Sequence, residues 1–201
     1  MSTELDPRDS LIAAASRVLA DEGPAALTVR HIASEAGLST MAVYSRFGGK
    51  DGVVDALFAE GFERLAATLE AVPMTDDPLE DLRVGCDAYR AMALANATHY
   101  AVMFLRVVPG FVPTDIAKGC AGDAFSVLVS HAQRAIDAGA IHQHDAAEVA
   151  ASIWATCHGL VALELLGIRP PTLTHDPWDS TIDTLVRGLA ADRDPTRQRS
   201  W

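Results

Sequence analysis

Eight side chains between positions 28 and 50 carry the hydroxyl, thioether and cationic chemistry that suits a nucleic-acid surface: Thr28, Arg30, Ser39, Thr40, Met41, Tyr44, Arg46 and Lys50. Arg30 and Arg46 can neutralise phosphates or fork onto a guanine edge, and Ser39 and Thr40 can hydrogen-bond bases or phosphates. The Tyr44 hydroxyl can donate to a phosphate oxygen, and Met41 can press against a thymine methyl. Lys50 adds charge beside Gly49, where a new helix is expected to begin. The unpaired N–H groups of that helix start favour an anion, so the two together read as a phosphate clamp. From Thr28 to Lys50 the only acid is Glu35.

Two short helices must position these groups. Thr28 is a good N-cap for a helix with Val29, Ile32, Ala33 and Ala36 on one face, and Gly37 supplies the left-handed residue that ends it. Leu38 plugs the turn. A second helix begins at Ser39 or Thr40 and carries Val43 and Phe47 four apart on its inner side before Gly48-Gly49 breaks it. Two helices joined by a short Gly-containing turn form a helix-turn-helix, whose second helix enters the DNA major groove.

Upstream, Leu11, Ala15, Val18 and Leu19 recur at helical spacing, with Asp6-Pro7 as N-cap and first position and Gly23-Pro24 as the stop. Downstream, a helix from about Lys50 carries Val54, Leu57, Phe58, Gly61, Leu65, Leu69 and Val72, and a loop follows from Pro73 to Pro78. Further helices are predicted over 78–95, 97–108, 114–138, 145–167 and 177–191, punctuated by Pro109, Pro113, Pro170 and Pro171. With no strand-like alternation and no internal repeat, the fold expected is all-α. It comprises an N-terminal three-helix DNA-binding domain, 1–50, and a C-terminal helical bundle, 51–191. Helix 51–72 connects the two, and 192–201 is expected to be a frayed basic tail.

The 201 residues are 49% hydrophobic and 21% charged, as befits a soluble globular protein, and the formal net charge of −11 argues against non-specific coating of nucleic acid or anionic membrane. Any DNA contact must therefore be local. Cys86, Cys120 and Cys157 form no C-x-x-C and suggest reduced thiols. The opening MSTELDPRDS lacks the basic patch and apolar run of a secretory signal, so a cytoplasmic location is expected. No Glu-x-x-His, HExxH, GxSxG or GxGxxG occurs, and neither catalytic activity nor a cofactor is expected. His142 and His144 flank Gln143 in an expected loop and read as solvated imidazoles rather than metal ligands. Residues 149–168 carry a single charge, Glu164, which raises a membrane span. Ala, Ser, Thr, His and Gly dilute that stretch, no basic cluster flanks it, and burial at a subunit interface explains it better.

The segment LTVRHIASEAGLSTMAVYSRFGGKDGVVDAL resembles the DNA-binding region of the TetR (tetracycline-repressor-like) family of bacterial transcription regulators, over residues 8–60. The family pattern of a Thr opening the second helix, an Ile-Ala pair, an Ala-Gly-(apolar)-Ser turn, and Tyr-x-x-Phe with Lys three residues on is matched by Thr28, Ile32-Ala33, Ala36-Gly37-Leu38-Ser39, Tyr44, Phe47 and Lys50. Arg46 stands where His is commoner, and Gly48-Gly49 replaces a Pro/Gly-Ser/Asn pair. The later SIWATCHGLVALELLG, with Trp154, His158 and Gly159 on one helix, resembles the C-terminal domain of members with a Trp-His-Gly signature, and HYAVMF at 99–104 is its companion stretch.

The resemblance implies a homodimer through helices at about 145–167 and 177–191, reading a palindromic double-stranded DNA operator with two recognition helices about 34–36 Å apart. It also implies a regulator, most often a repressor, that an unknown small-molecule effector releases from DNA. The effector would lie among the C-terminal helices, for which Tyr89, Met92, Tyr100, Met103, Phe104, Phe125, Trp154 and His158 are the candidates. It would act by moving the fourth helix through Val54, Leu57 and Phe58. The alternative is a ligand- or partner-binding helical module without DNA affinity.

Overall fold

A computed structural model describes residues 6–142, 145–169 and 171–190. The expected basic tail and His144 lie outside the described residues. Packing divides the chain into two units. One contains the described residues up to Arg64 together with Asn96–Gly122, and the other contains Leu65–Ala95 with the described residues from Asp123 onward.

The first unit opens with α1, Pro7–Glu22. Asp6 caps it by accepting from the Arg8 N–H at 2.7 Å, and Pro7 occupies the first turn, where its missing N–H costs nothing. Leu11, Ile12, Ala14, Ala15, Val18 and Leu19 form its buried face. A 3₁₀ turn at Pro24–Ala26, which periodicity does not reveal, leads to α2 (Val29–Glu35) and α3 (Thr40–Phe47). α4, Lys50–Glu70, buries Val53, Val54, Leu57 and Phe58 within this unit.

Two further helices precede the return to this unit's core. α5 is Pro78–Ala95, in the second unit, and α6 is Ala97–Phe104, in the first. α6 stops four residues short of the expected position 108. Leu105 leaves helical geometry and Arg106 takes a positive φ of 50°, three residues before Pro109 would in any case disfavour helical backbone. An aromatic row runs through the unit: Phe111 to Phe58 (6.1 Å between centroids), Phe58 to Phe62 (4.9 Å), Phe62 to Phe104 (5.2 Å) and Phe104 to Tyr100 (4.9 Å). These tilted and edge-on arrangements add to the burial of the rings themselves. α7, Asp115–Asp137, begins here, with Thr114 held by Asp55 through both its N–H (2.8 Å) and its hydroxyl (2.7 Å).

In the second unit α5 packs on α8 (Ala146–Leu165) and α9 (Trp178–Leu189). Leu82, Cys86, Tyr89, Met92 and Ala93 are buried on α5, and Val149, Ala150, Ile153, Cys157 and Val161 on α8. α8 is long and apolar enough to cross a membrane, yet these buried residues also make it a core helix of this unit. Asp81, 4% exposed, accepts from the Thr75 hydroxyl (2.7 Å), the Thr75 N–H (2.8 Å) and Arg134 Nη1 (2.5 Å). Burial pushes its pKa up, but these three donors more than offset that and hold the carboxyl below its ordinary value. Among the described residues the only β-type pairing is an isolated bridge between Ile141 and Ala190.

Candidate nucleic-acid interface

The α2–α3 pair is fixed by local signals that appear in the sequence. Thr28 Oγ1 accepts from the His31 N–H at 3.2 Å and so closes the start of α2. At its end the Leu38 N–H donates to the Ala33 carbonyl (2.8 Å) and the Gly37 N–H to Ser34 (3.1 Å), with Gly37 at φ 67°. This is the Schellman arrangement, and its left-handed position is why glycine stands there. Ser39 Oγ then accepts from the Ala42 N–H at 3.3 Å and starts α3. Ile32, Ala33 and Val43 are buried, whereas Val29, Ala36, Leu38 and Phe47 are half-buried and complete the apolar seam.

Outside that seam all but one of the predicted contact residues are exposed. Thr28, Arg30, Ser39, Thr40 and Arg46 are exposed, Met41 is 71% exposed and Tyr44 55% exposed. Lys50 is half-buried at the first residue of α4, with Nζ 3.7 Å from Asp51. The Tyr44 ring lies against the Gly48-Gly49 stop, where a Cβ on Gly49 would stand 3.9 Å from its Cε1.

The electrostatics contain pairings that spacing does not show. Glu35, the lone acid of this segment, is held by Arg17 of α1 at 2.8 Å, and Glu22 lies 3.0 Å from His31 Nε2. Both pairs are exposed and contribute little to stability. The first pair matters to the field, because Arg17 lies outside the α2–α3 segment and offsets the one acid within it, Glu35. Arg8 sits over the Phe47 ring at 5.8 Å from its centroid and ties α1 to the end of α3.

The eight predicted effector-binding residues do not gather in one unit. Tyr100, Met103 and Phe104 belong to the first, where Tyr100 is fully buried and joins the aromatic row. Tyr89, Met92, Phe125, Trp154 and His158 belong to the second. There Phe125 meets Trp154 edge-on (6.3 Å) and Trp154 lies 5.7 Å from the His158 ring. Burial pushes the His158 pKa down, so its imidazole is neutral at physiological pH. Phe58, Phe62 and Phe111, which complete the row around Tyr100, are absent from the predicted set. Among the described residues no cluster of three or more His, Cys, Asp or Glu could hold a metal ion.

The exposed, capped α2–α3 pair and the helical portion that follows define a class, the helix-turn-helix DNA-binding regulators. Comparison with known proteins names the family. Residues 11–57 match the model of bacterial regulatory proteins of the tetR family, and residues 82–189 match the tetracyclin repressor-like C-terminal domain. The chain belongs to the tetR family. It is 38% identical over 90 residues to the HTH-type nicotine-responsive transcriptional repressor HdnoR of Paenarthrobacter nicotinovorans, a match covering 45% of this chain and 44% of that protein. It is 29% identical over 109 residues to the HTH-type transcriptional regulator Rv1816 of Mycobacterium tuberculosis, covering 52% and 47%. The chain thus spans about half the length of the curated relatives it matches. Among solved structures, a protein of unknown function from Rhodococcus sp. RHA1 superposes with a TM-score of 0.80 at 28% identity, over 94% of this chain and 98% of the other.

Proposed function

We propose that the protein is a homodimeric transcriptional regulator, most simply a repressor, that binds a palindromic operator and is released by a small-molecule effector. It acts in the cytoplasm and has no catalytic role. The observation that carries this reading is the exposure of Arg30, Ser39, Thr40, Met41, Tyr44 and Arg46 on a capped helix pair whose one acid, Glu35, is paired with Arg17. Thr28 and Lys50 flank the pair.

The dimer would form through α8 and α9. Ala151, Trp154, Ala155 and Leu166 are exposed along α8, an apolar strip that a second copy would cover. The Trp-His-Gly reading of Trp154, His158 and Gly159 belongs with this proposal. The effector would engage the aromatic candidates, with Phe125, Trp154 and His158 as the cluster in which apolar rings and one neutral imidazole meet. Its differential affinity for two conformations would reach the DNA-binding pair through α4. The expected division, 1–50 for DNA and 51–191 for ligand and dimer, follows the same reading.

Fluorescence anisotropy of a labelled duplex, followed across salt concentration, tests the DNA contacts. Each phosphate contact adds about 0.9 to the slope of log affinity against log salt, so Lys50→Ala should lower that slope by roughly one. No binding of the duplex at any salt concentration would instead support a ligand- or partner-binding module without DNA affinity.

A further inference from the structure

A cavity of about 520 Å³ lies within the second unit, between the end of α8, the turn at Gly167, the start of α9 and Arg90 of α5. That is the volume of a site for a small organic molecule. Leu160, Leu163, Ile168, Leu173 and Pro177 give it an apolar wall. None of the eight aromatic, methionine and histidine candidates lines it.

The acceptors of its wall are already used. Arg90 donates from Nε and Nη2 to the two oxygens of Glu164, each at 2.9 Å, and from Nη2 to Asp176 Oδ2 at 2.5 Å. Asp176 Oδ1 accepts from the Trp178 backbone N–H at 3.0 Å, so each of the four carboxylate oxygens holds a hydrogen bond. Arg169, exposed at the rim, is the second cation. Two cations therefore line the cavity with two carboxylates, and the charge of its wall sums to zero. What the wall leaves over is a donor. Arg90 Nη1 makes no hydrogen bond among the described residues, while the other two guanidinium nitrogens are committed. The guanidinium also lies 5.0 Å from the ring centroid of buried Trp178, a contact that helps fix it in place.

We propose that this cavity binds an uncharged, largely apolar small molecule bearing a carbonyl-type acceptor, with its apolar body on Leu160, Leu163, Ile168 and Leu173 and its oxygen accepting from Arg90 Nη1. An ion of either sign would give up its hydration without meeting a net field of the opposite sign. An ammonium finds every carboxylate oxygen engaged, and a carboxylate that approaches Arg90 also approaches Glu164 and Asp176. A hydrocarbon of the same shape gains the apolar contact and makes no use of Nη1. The site lies on the flank of α8 that carries Leu160, Leu163, Glu164 and Gly167, whereas Ala151, Ala155 and Leu166 lie on another. The claim concerns binding and holds whether or not the ligand affects DNA.

Isothermal titration of the full chain with 4-phenylbutan-2-one, 4-phenylbutylamine, 4-phenylbutyrate and butylbenzene separates charge, acceptor and apolar body. The ketone should bind saturably and at least tenfold tighter than either the amine or the acid. Leu173→Trp, in the turn before α9, should abolish ketone binding by filling the cavity, and Leu163→Trp fills it from α8 should the first variant not fold by circular dichroism. Arg90→Lys keeps the charge but has no Nη1, and should weaken the ketone about fivefold while leaving butylbenzene within about twofold. Absence of saturable ketone binding, either ion binding as tightly as the ketone, ketone binding unchanged in a folded Trp variant, or an equal effect of Arg90→Lys on ketone and hydrocarbon would each overturn the proposal.

Discussion

Replacing Gly52 by alanine inverts the usual effect of that substitution. Within a helix, Gly→Ala ordinarily stabilises by about 1 kcal/mol, because alanine has less backbone freedom to lose. At Gly52, in the first turn of α4, an added Cβ would lie 2.8 Å from the Phe47 carbonyl carbon and 3.2 Å from the Phe47 Cβ, and would overlap the Phe47 carbonyl oxygen. Backbone at the end of α3 cannot swing aside as a flexible side chain would. Overlap with backbone puts the cost at the upper end of the overpacking range, about 2–3 kcal/mol, so against the ordinary gain of about 1 kcal/mol Gly52→Ala should be a net loss of about 1–2 kcal/mol. The control is Gly119→Ala in α7, where nothing lies within 4 Å of the new Cβ and the ordinary gain of about 0.5–1 kcal/mol is expected. At roughly 2–4 °C per kcal/mol for a chain of this size, differential scanning calorimetry should show Tm falling by about 2–8 °C for the first variant and rising by about 1–4 °C for the second. Because Phe47 ends the helix that carries Thr40, Met41 and Tyr44, the first variant should also bind DNA less well. A rise in Tm for Gly52→Ala equal to that of Gly119→Ala would refute the close approach of α4 to the α3 terminus.

Three other outcomes follow from the geometry. Arg134→Met should cost about 3 kcal/mol in urea unfolding, because it leaves the buried Asp81 carboxylate with only its Thr75 donors; a loss below about 1 kcal/mol would contradict the pairing. His99 is 9% exposed, its Nε2 makes no hydrogen bond, and Glu60 Oε2 lies 3.9 Å away. Burial lowers its pKa, with Arg64 lowering it further and Glu60 pulling it up. The unfolded chain therefore takes up the proton first, and this contribution to stability is complete above about pH 6.5 and is lost as pH falls below it toward the folded value. The urea midpoint of the wild type should drop between pH 7.5 and 5.5 by more than that of His99→Gln, and equal drops would sink the argument. Tyr44→Phe and Lys50→Ala should weaken binding alike across operator variants, whereas Thr40→Ala and Met41→Ala should change which bases are preferred, as read by competition with single-base substitutions; a uniform loss from all four would refute this division of roles.

What was legible in the sequence was what is written locally. Asp6-Pro7, Thr28, Gly37 and Ser39 act through bonds to backbone two to five residues away, so the positions of α1, α2 and α3 follow from residue type and spacing. The end of α6 failed because HYAVMF runs into further apolar residues, and the stop depends on the Arg106 backbone rather than on a cap. Arg17 with Glu35, Arg134 with Asp81 and Arg90 with Glu164 and Asp176 join distant positions, and nothing in their spacing announces them. The effector candidates illustrate the same limit. Aromatic residues at helical spacing reveal that a face is apolar, but not which unit it packs in: Tyr100 lies in the first unit and Trp154 in the second.

The central claim is sequence-specific binding of an inverted repeat through the α2–α3 surface. The most direct measurement is selection of bound duplexes from a random double-stranded library by the purified protein, in parallel with Tyr44→Ala. An inverted repeat enriched by the wild type and not by the variant is the result predicted. No enrichment at low salt by a folded dimer, or the same enrichment by both proteins, would contradict it.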